Sequence, residues 1–292
     1  MALVSALAAI LIWSLLTTLG VSLNRVPPLF LIGASLLIGG LLSLPWARKW
    51  HLRWTTVVVG AGGMFFYHLL FFLALRTAPP VSANLVHYTW PMLIVLLSPM
   101  VVTGTRLKPV HVAAAIIGFL GAALAIGGAD TSAAFRWDWG YAYSIAAALV
   151  WSTYSLAMKR LGKGSPADVG LACILAGSMA LFLHARLEPA AHLATSQVSE
   201  LAMLGLGPMG AAFYLWAYAL KRGDPRVVGV LANATPLLST AMLVATGRGR
   251  ISAMLIASVI LVCFASVLVL YSQSTLRRRR VPIPVGVGAE AS

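Results

Sequence analysis

The chain carries one helical hairpin twice: LALRTAPPVSANLVHYTWP at residues 73–91 recurs as WAYALKRGDPRVVGVLANATP at 216–236. Upstream of the two prolines, Pro91 and Pro236, one offset pairs Gly60 with Gly205, Gly62 with Gly207, Met64 with Met209, Leu75 with Leu220 and Pro80 with Pro225. A second match, LIWS at 11–14 against LVWS at 149–152, opens each half. Repetition over nearly the whole apolar length predicts two similar halves packed against each other.

The composition says what those halves are made of. Sixty per cent of residues are apolar, 10% are charged and the mean hydropathy is +0.90, against about 25% charged residues in soluble domains. A helical span needs roughly 20 consecutive apolar residues. Ten such spans are expected at 2–23, 28–46, 55–75, 80–103, 109–128, 139–160, 168–185, 199–219, 226–246 and 251–271. The predicted fold class is an all-α polytopic membrane protein, ten transmembrane helices forming a 5+5 inverted repeat around a central cavity. Its expected parts are a first repeat at 1–128, an extracytoplasmic linker at 129–138, a second repeat at 139–271 and a disordered cytoplasmic tail at 272–292. The first span is too long and too poor in N-terminal charge for a cleaved signal and is read as a retained helix.

The repeat is inverted because five is odd: the second copy enters the membrane from the opposite side. Charge gives an independent check, since cytoplasmic loops hold the excess of Lys and Arg. With both termini inside, fifteen positive residues collect on the cytoplasmic side, among them Arg48, Lys49, Arg106, Lys108, Lys159, Arg160, Lys221 and the run 277–280. Six remain outside: Arg25, Arg76, Arg136, Arg186, Arg248 and Arg250. The net charge of +14 is thus mostly an orientation signal for a bacterial inner membrane, and a nucleic-acid partner is not expected. Cys173 and Cys263 lack the spacing of a metal site or disulfide framework. No HExxH, GxSxG or P-loop pattern occurs, so neither an enzyme nor a cofactor or metal site is expected. Asn233-Ala234-Thr235 fits a glycosylation pattern but falls inside a span.

The candidate site follows from the polar residues the spans do contain. No Asp, Glu, Lys or Arg lies away from the ends of the ten spans, so the midplane lacks the carboxylate on which proton relays usually depend. Asn84, His87, Tyr88 and Pro91 share one helical face at i, i+3, i+4 and i+7. Facing lipid, such groups would cost roughly 2 to 7 kcal/mol each, so they should point inward. Pro91 removes a helical N–H and frees the carbonyl of His87. The same logic turns Asn233 and Pro236 inward, where a kink with an internal amide bond competes equally with substrate contact. Met64, Tyr67, His68 and Phe71 line the matching face of the third span, and Met209, Ala212, Phe213 and Trp216 that of the eighth. Trp13 and Trp151 are repeat partners, with Tyr154 and Ser155 continuing the face of Trp151. Trp13, Trp90 and Trp151 sit deep, whereas Trp46, Trp50, Trp54, Trp137 and Trp139 fall near span ends, as interfacial belts do. His68 and His87 are read as neutral hydrogen-bonding groups between helices. Close-packed or sliding helices are expected at Gly60, Gly62, Gly63, Gly118, Gly121, Gly205, Gly207 and Gly210.

Ten helices as five plus five, the Trp-Ser pair early in each half and the proline midway through the fourth helix resemble the drug/metabolite transporter superfamily, most closely its EamA-type exporters. Tyr67-His68, His87-Tyr88-Thr89-Trp90-Pro91 and Trp151 resemble the members that export aromatic amino acids. Many EamA-type members carry a Glu just after helix 4, where this chain has Thr105-Arg106-Leu107. The resemblance implies alternating access between halves and an amino acid substrate. A cavity of Trp, Tyr, Phe, His and Asn without fixed charge suits a mostly apolar solute, held by Tyr67, His68, Asn84, His87, Tyr88, Trp90, Trp151, Tyr154, Phe213, Trp216 and Asn233. The expected activity is facilitative export of neutral, mainly aromatic amino acids. Efflux of amphipathic drugs or other metabolites is the alternative, since a cation can sit on Trp and Tyr faces. The expected partners are the small-molecule substrate and the lipid bilayer, and two halves in one chain require no oligomer.

Overall fold

Apolar spans separated by Pro, Gly and charged turns become helices, because in a membrane every backbone N–H and C=O must be paired within the segment. The computed structural model describes residues 1–51, 53–78, 80–127, 138–161, 165–238 and 253–278. Among them there is no strand. The helices are α1 (Ala2–Trp13), α2 (Leu16–Ser22), α3 (Pro28–Leu41), α4 (Trp54–Thr77), α5 (Pro80–His87), α6 (Trp90–Val101), α7 (Pro109–Gly127), α8 (Trp139–Arg160) and α9 (Asp168–Leu187). They continue with α10 (Thr195–Leu206), α11 (Ala212–Arg222), α12 (Pro225–Ala232) and α13 (Ala253–Arg278). Among the described residues four stretches are long and apolar enough to cross a membrane unaided: Trp54–Thr77, Asp168–Leu187, Thr195–Arg222 and Ala253–Ser272. The linker expected at 129–138, all but its last residue, lies outside the described residues, as do the tail from 279 and the end of the span expected at 226–246.

The first, fourth, eighth and ninth expected spans are interrupted, each beside a serine or a proline. The first divides into α1 and α2 after Trp13, where Ser14 Oγ donates to Leu11 O at 2.6 Å and competes with the helical ladder. The fourth divides into α5 and α6 at Tyr88-Thr89, just ahead of Pro91. The ninth turns at Asn233, at the same distance before Pro236. The eighth divides into α10 and α11 around a wide π turn at Gly207–Ala211, next to Pro208. In that turn the Ala212 N–H reaches back to Gly207 O. An α-helix would have paired it with Pro208 O, which is thereby released.

Outer faces are apolar, with Phe66, Leu120, Phe182, Ile260, Phe264 and Val267 all exposed. The interior collects the polar residues: Ser35, His68, His87, Ser98, Ser144, Ser152, Ser155 and Asn233 are buried. This reversal of the soluble pattern is what a lipid solvent demands. Trp46, Trp54 and Trp139 are exposed, while Trp50 is half-buried.

The most extensive helix contacts join α7 with α13, α3 with α9, and α4 with α8. Glycines set the spacing of α3. A side chain on Gly33 or Gly40 would strike Leu181 or Ile174 of α9, and one on Gly39 would run into Met209 O and the Gly210 backbone. At one end the Glu188 carboxylate accepts the first N–H groups of α3, Leu29 N at 3.0 Å and Phe30 N at 3.3 Å, and so caps a helix 159 residues away. At the other end Asp168 accepts His51 N at 2.9 Å, and Arg226 ties Asp224 to the carbonyl of Arg106.

Of the glycines expected to mediate close approach, Gly60, Gly63, Gly118, Gly121, Gly205 and Gly210 have neighbours within reach of an added Cβ. Gly62 meets nothing within 4 Å, and its repeat partner Gly207 meets only Ile12 at 3.5 Å. Gly39→Ala should therefore cost about 1–3 kcal/mol through overpacking. Gly62→Ala should stabilise α4 by up to about 1 kcal/mol through helix propensity. Thermal unfolding of the two variants in detergent measures both, and equal behaviour would contradict this packing.

Candidate functional site

The inward faces of α1, α4, α6, α8 and α11 all present rings, because each carries an aromatic residue one or two turns from its break or centre. Trp13 is the hub, packing edge-on or tilted against Trp90 (6.1 Å between centroids), Trp151 (5.8 Å), Phe213 (6.2 Å) and Trp216 (5.2 Å). Trp90 also meets Trp216 at 5.4 Å and Trp151 at 6.3 Å. Tyr67 lies 4.7 Å from Trp151, and Tyr154 and Phe213 each lie 5.6 Å from it. The cluster then runs along α4, where Tyr67 packs on His68, Phe71 and His87. His87 in turn touches Phe71 at 4.6 Å and Tyr88 at 6.1 Å. Edge-on pairs set positive ring edges against negative faces, each worth about 0.5–1.5 kcal/mol beyond burial.

Specific hydrogen bonds fix these rings. Trp13 Nε1 donates to the released Pro208 O at 3.0 Å, a fully buried contact between residues 195 apart. Trp216 Nε1 donates to Ser155 Oγ at 3.2 Å. Ser152 Oγ lies 2.7 Å from Ala148 O and 2.9 Å from Trp90 O, which ties α8 to α6 beside Trp151. His68 Nδ1 sits 2.6 Å from Met64 O. A carbonyl only accepts, so Nδ1 carries a proton and the imidazole is locked to its own helix. Among the described residues His87 Nε2 and Asn233 Oδ1 are buried without hydrogen-bond partners.

Nine of the eleven residues singled out from the sequence thus fall into one connected group: Tyr67, His68, His87, Tyr88, Trp90, Trp151, Tyr154, Phe213 and Trp216. Asn84 is half-buried at the end of α5, where its carbonyl accepts the Tyr88 N–H at 3.0 Å. Asn233 donates from Nδ2 to Val230 O and lies against Gly118 of α7, the internal amide bond anticipated as its alternative role. Trp13 and Phe71 complete the group. Periodicity marked both as inward but could not reveal Trp13 as the hub, since its position depends on the π turn in the other half.

A cavity opens beside the cluster, lined by Met64, Trp151, Tyr154, Met158, Phe213 and Trp216, and reaches Lys159 and Lys221 at one end of the bundle. Its free volume is about 20 Å³, room for about one water. The rings fill the centre themselves, so a ring-sized solute enters only as they separate.

A helical bundle with apolar outer faces and its polar residues turned inward is the form of a membrane protein. Residues 1–127 and 138–271 each match the EamA-like transporter family, and the chain belongs to it. The protein is therefore a membrane transporter. It is 38% identical over 248 residues to a protein of Ancylobacter novellus named aromatic amino acid exporter YddG, covering 82% of this chain and 86% of that one. A crystal structure 35% identical in sequence superposes with a TM-score of 0.87, covering 96% of this chain and 99% of the other.

Trp13→Phe keeps the ring but leaves Pro208 O buried without a donor. The expected loss of stability is about 1–3 kcal/mol, read as a lower unfolding midpoint in detergent; an unchanged midpoint would show that the bond contributes nothing net.

Proposed function

We propose that the protein exports neutral, mainly aromatic amino acids across a bacterial plasma membrane by alternating access of two inverted five-helix halves, both termini being cytoplasmic. The helix contacts support the inverted repeat. Under a two-fold exchange of halves, the pairs α3–α9 and α7–α13 each map onto themselves. The contact of α4 with α8 maps onto that of α1 with α11, α5–α8 onto α12–α1, and α4–α9 onto α10–α3, and every one of these contacts is present. Two matches to one family, one in each half, agree with the same division.

The observation that carries the substrate reading is the aromatic cluster. Trp13, Tyr67 and Trp90 come from one half and Trp151, Phe213 and Trp216 from the other, with no charged side chain among them. A rocking motion of the halves would part these rings, and an aromatic solute could replace the ring–ring contacts with its own at little net cost. The likeness to a protein named as an aromatic amino acid exporter points the same way. No carboxylate stands among the clustered rings to bind a coupling proton, so the substrate moves down its own gradient.

Radiolabelled phenylalanine uptake into liposomes holding the purified protein tests this. Uptake should saturate, fall at least tenfold in Trp90→Ala and Trp151→Ala, and be indifferent to an imposed proton gradient. Dependence on the proton gradient would overturn the facilitative mechanism. Transport of organic cations without phenylalanine would overturn the substrate and favour drug efflux.

A further inference from the structure

Two lysines reach the same cavity as the rings. Lys159 lies eight residues beyond Trp151 on α8, and Lys221 eight beyond Phe213 on α11. That separation is about 12 Å of helix rise. Both side chains line the cavity, and their ammonium groups are held at its rim. Lys159 Nζ is anchored by Leu220 O at 2.6 Å and Gly223 O at 2.8 Å, two carbonyls at the C-terminal end of α11. Among the described residues it has no carboxylate within 4.0 Å. Lys221 Nζ donates to Ser165 O at 3.1 Å and stands 3.9 Å from Asp168 Oδ2, a buried oxygen without a hydrogen bond among the described residues. The mouth therefore holds two ammonium groups, with Asp168 beside Lys221 and with Asp224, itself paired to Arg226, further from Lys159, above walls that are otherwise apolar and aromatic. Helix capping explains why a cation sits at the end of α11. It does not require that two cations share one cavity with Trp151 and Trp216.

We propose that Lys159 and Lys221 form a carboxylate-accepting subsite at the cytoplasmic mouth, which captures the α-carboxylate of a free amino acid before its side chain moves in among the rings. The subsite rests on the transport reading above and deepens it. An uncharged centre alone would not distinguish an amino acid from its decarboxylated amine. Two ammonium groups at the mouth attract the carboxylate of the former and repel the bare ammonium of the latter.

The test compares phenylalanine with phenethylamine, which has the ring and amine but no carboxylate. Lys159→Gln retains a donor for Leu220 O while removing the charge, and Lys159→Arg retains the charge. In proteoliposomes, Lys159→Gln should raise the half-saturating phenylalanine concentration about tenfold, the size of one charge-assisted hydrogen bond. Inhibition of that uptake by phenethylamine should be unchanged or stronger, and Lys159→Arg should behave within about threefold of the wild type. Lys221→Gln should show the same split between the two ligands; because it also takes a cation away from Asp168, its unfolding midpoint is measured alongside. Equal weakening of both ligands, or no change in either, overturns the subsite while leaving the transporter reading intact. A wild-type protein that neither carries phenylalanine nor shows tryptophan quenching by it overturns both.

Discussion

An indole N–H from the first half and a carbonyl released in the second hold the centre of this protein together. Pro208 cannot donate to the helix ladder, the chain takes a π turn around it, and the Ala212 N–H passes over Pro208 O to bond Gly207 O. A bare carbonyl at that depth would cost several kcal/mol in a medium without water. Trp13 supplies the missing donor, and doing so fixes its ring where Trp90, Trp151, Phe213 and Trp216 can all pack on it. A defect in one helix thus becomes the anchor of the aromatic cluster.

The same turn also determines how closely the scaffold packs. Met209 O and the Gly210 backbone press on Gly39, so α3 can lie against α10 only where it has no side chain. Further along α3, Gly33 and Gly40 admit α9, and Glu188 from the end of α9 caps the start of α3. The ends of the bundle carry the ion pairs and caps, and its middle carries rings and serine hydroxyls. That distribution follows from dielectric: a charge survives at the rim, where water reaches it, and a neutral donor survives inside only when paired.

Much of the site was legible as periodicity. The spacing of Tyr67, His68, His87, Tyr88 and Trp90 sets these residues on two inward faces, and the repeat pairs Phe213 with His68, Trp216 with Phe71 and Trp151 with Trp13. Asn233 shows the limit of the method. Its repeat partner is Tyr88, yet Tyr88 meets the ring of His87 while Asn233 bonds its own helix beside Gly118. Equivalent positions need not acquire equivalent surroundings once the two copies have diverged.

Hydropathy, proline placement and the internal repeat can all be read along the chain, and they alone determined that it is helical, membrane-bound and made of two similar halves. Tertiary structure decided the rest. Trp13 became the hub and Asn233 did not, the rings closed on one another to leave room for about one water, and Lys159 and Lys221 came to overlook them. Each outcome depends on which backbone groups a distant helix leaves unpaired and on where glycine lets two helices touch, and no window of sequence contains both partners.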